Sequence, residues 1–304
     1  MSKSELELIA WLKRRQSPAP SHVELSIGDD MASVRLGAAR VLITSDLLLD
    51  GVHFVVGEHT PEQIGRKAMA CSVSDCAAMA VRPVAATASV ALPDKVDMAF
   101  AQRLVEGMNA VADAYDCPLV GGDTTSWPSG LVVDVAMLGE PWPGCEPVRR
   151  DGAKPGDAIY VTGPLGGSRL GHHIDFSPRV AEAHRLVTEL RERLHAMLDI
   201  SDGLSLDLWR ICEASGCGAE LDEALLDDVV SEAARALSAR DGRSVLDHVL
   251  NDGEDFELLF AVDPEEPAPP IGVRVGTMVT SGLTLTGRDG TSRPIEAKGF
   301  QHFT

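Results

Sequence analysis

The sequence predicts a mixed α/β (α+β) protein in two halves, and three observations predict it. Helix-start signals alternate with short β-branched runs, and the run Pro141-Trp-Pro-Gly-Cys-Glu-Pro147 interrupts that alternation near mid-chain. The 304 residues exceed one average domain and reach two. The boundary is expected inside the break, giving 1–145 and 146–304 as the two units.

Ser4 and Glu7 form a capping-box pattern ahead of Leu8, Ile9 and Leu12, which predicts an opening amphipathic helix. The aliphatic run 41–44 predicts a strand. Thr60, Pro61 and Gln63 then supply an N-cap, a first-turn proline and a capping-box partner for a helix running to about Met79. Residues 84–92 read as a strand nearly apolar on both faces, 98–115 as a long helix and 131–138 as another strand. After the break, Gly156-Asp157 leads into a strand at 158–162, a glycine turn spans 163–167, a helix starts near Gly203 and a strand covers 256–262, with short strands to follow. No period of 20 to 50 residues repeats.

Lysine and arginine number 27 against 46 aspartates and glutamates, a net charge of −19, which opposes a large phosphate-backbone footprint. Two tyrosines and four tryptophans leave little material for a base-stacking platform, so nucleic acid is not an expected partner. No apolar run approaches the roughly 18 residues of a membrane span, and the opening MSKSELELIAWLKRR carries acids where a secretory signal is apolar. A soluble cytoplasmic protein without membrane partners is expected. The six cysteines form no CxxC pair, so they read as reduced, small hydrophobes, with a reactive Cys76 or Cys217 as the alternative.

The aspartates are the informative residues. At 100° per residue, Asp75 falls on one helix face with Ile64, Ala68, Cys71, Ala78 and Met79, pointing where the core should be. A buried carboxylate needs a cation, a metal or several donors; taken alone, Asp75 reads equally as a ligand or a salt-bridged helix residue. Asp46 follows Thr44 and Ser45 at the end of the 41–44 strand, and Asp123 follows Leu119-Val120 through two glycines, so both are expected at strand ends. Asp29-Asp30 and the run Leu198-Asp-Ile-Ser-Asp-Gly203 add further acids, with Ser201 or Asp202 readable as an N-cap and Asp199 left unexplained. Together they suggest a cage for hard divalent cations, through which so acidic a protein could hold a polyphosphate. No GxxxxGK[ST], HExxH or GxSxG motif competes.

Nine ordered blocks carry a resemblance: Ile27-Gly-Asp-Asp30, Thr44-Ser-Asp46, Asp50-Gly-Val-His-Phe54, Lys67-Ala-Met-Ala with Ser74-Asp-Cys-Ala-Ala-Met79, Gly121-Gly-Asp-Thr-Thr125, Gly152-Ala-Lys-Pro-Gly-Asp157, Asp199-Ile-Ser-Asp-Gly203, Gly253-Glu-Asp-Phe-Glu257 and Lys298-Gly-Phe300. The chain resembles the thiamine-monophosphate kinases of the aminoimidazole-ribonucleotide-synthetase-like superfamily. The resemblance implies magnesium- and ATP-dependent phosphorylation of thiamine monophosphate to thiamine diphosphate by direct in-line transfer. It implies a two-domain fold whose N-terminal ATP/metal-binding domain dimerises through its sheet. It further implies that Asp30, Thr44, Ser45, Asp46, Asp75, Asp123, Asp199 and Asp202 organise several magnesium ions, that Gly122, Asp123, Arg150 and Ser201 meet ATP, and that His53, Glu254 and Phe300 meet the thiamine moiety. It assigns no covalent nucleophile and no general base. Read alone, His53 is a surface or core histidine and Phe300 a core aromatic.

Two departures stand out: Asn251-Asp252 precedes Gly253-Glu254 where the family carries a glycine pair, and 172–178 is shorter than its counterpart. Among rivals, a selenophosphate synthetase needs a reactive cysteine, or selenocysteine, in residues 1–30, and a hydrogenase-maturation relative needs a C-terminal one; neither is present. An aminoimidazole ribonucleotide synthetase-like activity and a catalytically silent nucleotide or metal-binding module remain the alternatives.

Overall fold

A computed structural model describes residues 5–15, 20–265 and 267–302. Among these residues the strands form two sheets. The first has six strands in the order β1-β2-β3-β6-β4-β5: β1 (Val23–Leu25), β2 (Ala32–Leu36), β3 (Ala39–Leu49), β4 (Val81–Pro93), β5 (Leu119–Trp127) and β6 (Val132–Pro141). Its pairs are antiparallel except β4 with β5. That parallel pair is joined by a crossover helix, as parallel strands require. Helix α1 (Glu5–Arg15) precedes the sheet; Ser4 of its expected cap lies outside the described residues.

Helices α2 (Pro61–Ala78) and α3 (Met98–Ala114) pack together on one face of this sheet. The start of α2 is the expected capping box: the Gln63 amide donates to Thr60 Oγ1 at 3.3 Å and the Thr60 amide to Gln63 Oε1 at 3.0 Å. A Cβ on Gly65 would stand 1.9 Å from the Leu104 carbonyl oxygen, so glycine is what lets the two helices approach. The other sheet face is open in the single chain. Ala86 and Ala88 of β4 are buried while Thr87 and Ser89 are exposed, so the small, apolar β4 has one covered face.

The second sheet has seven strands in the order β13-β12-β9-β11-β7-β10-β8: β7 (Ala158–Val161), β8 (Leu194–Asp199), β9 (Gly218–Asp222), β10 (Leu258–Val262), β11 (Val273–Val279), β12 (Leu283–Thr286) and β13 (Ser292–Pro294). Around it lie α4 (His172–Asp175), α5 (Val180–Leu190), α6 (Leu204–Ser215), α7 (Glu223–Leu226), α8 (Glu232–Asp241) and α9 (Val245–Asn251). Helix α2 also packs against α5 and β8, and one apolar cluster runs from Ile64, Met69 and Val73 to Leu186, Met197 and Phe260. The face of α2 turned from the first sheet is thereby brought against the second half of the chain.

Several expectations change. Residues 41–44 lie within the longer β3, so Asp46 is a mid-strand residue and not a turn residue. Asp123 likewise lies inside β5, opposite Ser89, because the strand continues through Gly121-Gly122. Gly122 has φ +152°, and a Cβ there would meet the Ala88 carbonyl oxygen at 1.8 Å, so the glycine serves strand pairing. Phe256, with φ +50°, cannot open a strand, and β10 begins at Leu258. Neither Ser201 nor Asp202 caps α6. Asp207 of its first turn does so instead, accepting from the Asp202 and Gly203 amides at 3.0 Å each.

Candidate active site

A cleft of about 730 Å³ opens between the two halves, with acids at one end and aromatic rings at the other. At the acidic end, Asp30 comes from the loop before β2, Asp75 from α2 and Asp199 from the last position of β8. One carboxylate oxygen from each lies within 4.8 Å of the other two. Hydroxyls orient the carboxylates: Thr44 Oγ1 donates to Asp75, Ser72 Oγ to Asp46 at 2.7 Å and Ser74 Oγ to Asp199. Two of these hydroxyls and Asp75 itself ride on α2, so one rigid helix sets most of the cluster.

Burial pushes Asp75 far above the ordinary carboxylate range, and the neighbouring Asp46, Asp199 and Asp30 push it further. The same causes raise Asp199 to about 8, against the hydrogen bond from Ser74. Burial likewise brings Asp46 to about 6, against the hydrogen bond from Ser72. Asp30 Oδ2 is buried without a hydrogen-bond partner, while its Oδ1 accepts from Arg150. An orphaned carboxylate oxygen among acids that resist ionising together is a site short of positive charge. Ligand oxygens of one octahedral magnesium stand about 3–4 Å apart, so this all-oxygen set fits a hard divalent cation.

A stability prediction follows. Asp46 at about 6 and Asp199 at about 8 hold protons in the folded state that an unfolded chain, with aspartates at 3.8, has released. Stability contributed by these groups is complete below about pH 4 and is lost as pH rises through 6 and 8. The metal-free protein is expected to melt at a lower temperature at about pH 8.5 than at about pH 5.5, with magnesium narrowing the gap. A gap that ignores magnesium in thermal-shift measurements would count against the cluster as a cation site.

The remaining expected residues divide by location. Ser45 and Asp202 also line the cleft, with Ser201 between the halves of the acidic run. Arg150 stands behind the cluster, its side chain shared between Asp29 and Asp30. Gly122 and Asp123 sit apart, on the edge strand β5. Ser89 is in register with Asp134 on one side and Asp123 on the other, so those acids share a row on the open sheet face. Ser45 Oγ donates to Asp134 Oδ1 at 2.7 Å on that same face. Asp134, Asp207, Ser72, Ser74 and Lys67 are not among the site residues expected from sequence. Asp134, alone among apolar residues in 131–138, was the signal available for one of them.

At the other end stand His53, Glu254 and Phe300. The ring centroids of His53 and Phe300 are 6.4 Å apart and edge-on, and His302 lies 5.3 Å from His53 and 4.9 Å from Phe300. His53 Nδ1 accepts the Leu49 amide at 3.0 Å; burial, outweighing the pull of Glu254, lowers its pKa to about 4. The Glu254 amide donates to the Ser201 carbonyl at 2.7 Å and the Phe300 amide to that of Asp202 at 3.0 Å, so both hang directly on the acidic run. The unusual Asn251-Asp252 pair is well used. Asp252 accepts from the Gly167 amide and meets the buried His248 at 2.8 Å, while Asn251 bonds Asp247 and Ser205. In the short 172–178 segment, His172 Nε2 lies 2.9 Å from the Asp255 carbonyl. All six cysteines are free, and burial raises the thiols of Cys71, Cys76, Cys117, Cys212 and Cys217.

The first sheet points to the fold class: residues 28–140, which carry most of it, match the family described as AIR synthase related protein, N-terminal domain. Full-length relatives narrow the class. The chain is 37% identical to the thiamine-monophosphate kinase of Rhodopirellula baltica, over 98% of this chain and 94% of that protein. It is 33% identical to the thiamine-monophosphate kinase of Escherichia coli strain K12, over 100% and 99%. Its fold is similar to the structure described as AaThiL complexed with AMPPCP and TMP, with a TM-score of 0.85 at 28% identity, covering 99% of this chain and 97% of that one. The chain belongs to the thiamine-monophosphate kinase family.

Proposed function

We propose that this protein transfers the γ-phosphoryl group of ATP to thiamine monophosphate, giving thiamine diphosphate and ADP. The observation that carries the reading is one cleft with a cation-hungry carboxylate cluster at one end and a ring-lined recess at the other. Asp30, Asp46, Asp75 and Asp199 would hold magnesium, with Thr44 orienting Asp75 and with Ser45 and Asp202 as further oxygen donors from the cleft wall. Bound there, magnesium neutralises the phosphates of both reactants and of the departing diphosphate. Arg150, Ser201, Gly122 and Asp123 would meet ATP, while His53, Phe300 and Glu254 seat the thiamine rings.

The acceptor's terminal phosphate has a second pKa of about 6 and is already ionised near neutrality. One of its oxygens attacks the γ-phosphorus in line as the bond to the β-phosphate oxygen breaks, so no general base is needed and positioning dominates. The test is ADP release with and without thiamine monophosphate, with the product identified by mass. Stoichiometric ADP and thiamine diphosphate are expected; ADP release indifferent to the acceptor would sink the proposal.

The two units are taken as 1–145 and 146–304, in a cytoplasmic homodimer sealed by the first sheet. Ile43, Leu47, Val120 and Leu138 are 40–65% exposed on strands of that sheet, an apolar surface that a second copy would cover. Light scattering is expected to report twice 32.3 kDa at micromolar concentration, and a monomer mass would reject the dimer.

A further inference from the structure

Lys67 belongs to neither end of the cleft as assigned so far, yet it has the most unusual environment of the cations around it. Its side chain is fully buried. A buried ammonium is costly unless it is paired and hydrogen-bonded, and Lys67 is both: Nζ donates to the His53 carbonyl at 2.7 Å and to Glu254 Oε1. Its partners are 14 and 187 residues away in sequence. One cation therefore ties α2 to the loop carrying His53 in the first half and to the loop carrying Glu254 in the second.

Glu254 adds an independent sign. It is a non-glycine residue at φ +62°, a conformation that persists only where the surroundings impose it. Two ties hold it there, the side-chain bond from Lys67 and the amide bond to the Ser201 carbonyl. The helix supplies the geometry. Lys67, Cys71, Ser74 and Asp75 fall at i, i+4, i+7 and i+8 along α2, one continuous stripe. Cys71 and Asp75 line the cleft, and Ser74 holds Asp199. At 1.5 Å per residue, the Lys67 end stands about 12 Å along the axis from the Asp75 end.

We propose that Lys67 is a positioning residue for the phosphoryl acceptor: through Glu254 and the His53 loop it fixes the ring-binding recess at a set distance along α2 from the carboxylate cluster. The inference rests on the acceptor reading given above. An acceptor whose rings occupy the recess then has its phosphate delivered to the acidic end by a rigid ruler, and the nucleotide does not depend on that tie.

The experiment compares wild type, Lys67→Met, Glu254→Gln and the double variant Lys67→Met/Glu254→Gln, the last leaving no lone buried charge where the Lys67 variant fails to fold well. Steady-state constants are measured for both substrates, with binding of a nonhydrolysable ATP analogue and melting temperatures. For Lys67→Met, kcat/KM for thiamine monophosphate is expected to fall roughly 100-fold, as for an acceptor misplaced by about 1 Å, while affinity for the ATP analogue changes less than about threefold. The double variant should recover melting temperature but not acceptor use, its loss being no greater than that of the worse single variant, because both substitutions remove one interaction. Acceptor constants within about threefold of wild type, or parallel loss of both substrates following the melting temperature, would overturn the positioning role. If wild type itself fails on thiamine monophosphate, the acceptor reading falls and takes this inference with it; an active wild type with an unaffected variant rejects the inference alone.

Discussion

Asp75→Asn is expected to slow phosphoryl transfer by on the order of 10²- to 10³-fold while raising the melting temperature of the metal-free protein. Both signs come from one environment. Asp75 is half-buried in the cleft wall and crowded by Asp46, Asp199 and Asp30, so its ionised form is unfavourable without a cation. Asparagine keeps the shape and an oxygen to accept from Thr44 Oγ1, and it removes the repulsion. It also removes an anionic ligand, so the magnesium concentration supporting half-maximal rate should rise. A helix aspartate with a packing role alone would behave oppositely, losing stability and keeping the rate. Measuring melting without metal and turnover across a magnesium titration separates the two; near-normal turnover with an unchanged circular dichroism spectrum would remove Asp75 from the cation site.

Legibility in the sequence followed the range of the interactions. Helix α2 was readable because Thr60, Pro61 and Gln63 act within one turn, and Asp75 because a charge in an apolar stripe is anomalous on local evidence alone. The strand β5 was not. Gly121-Gly122 looks like a turn, and only the approach of β4, some thirty residues earlier, reveals that Gly122 serves strand pairing. Strands such as β8, all but one of its residues buried, lack the alternation that marks a half-exposed strand. Lys67 escaped for the same reason at greater range. Glu254 is 187 residues from Lys67, so no local pattern distinguishes that lysine from an ordinary surface charge. Resemblance recovered Glu254, whereas the ammonium that holds it needed coordinates.

Free thiamine is expected to fail as an acceptor, slower than thiamine monophosphate by at least on the order of 10²- to 10⁴-fold, the contribution of a positioned general base. Its nucleophile would be a neutral alcohol whose proton must be taken as the bond forms. Two of the side chains expected to seat the rings are poorly suited to take it. His53 has its Nδ1 occupied by the Leu49 amide and a pKa lowered to about 4, and Glu254 is committed to Lys67. The carboxylates at the far end are the groups expected to hold magnesium. With the monophosphate the requirement disappears, so its rate should rise with pH through the acceptor's own ionisation near about 6 and then level. Initial rates for both acceptors between about pH 5 and 8, with ATP-analogue binding as the control for an intact nucleotide site, check the argument. Robust transfer to free thiamine would mean that a base acts in this cleft. The loop built on Asn251 and Asp252, tied to Ser205, Gly167 and His248, would then be the first place to look for a recess shaped to another acceptor.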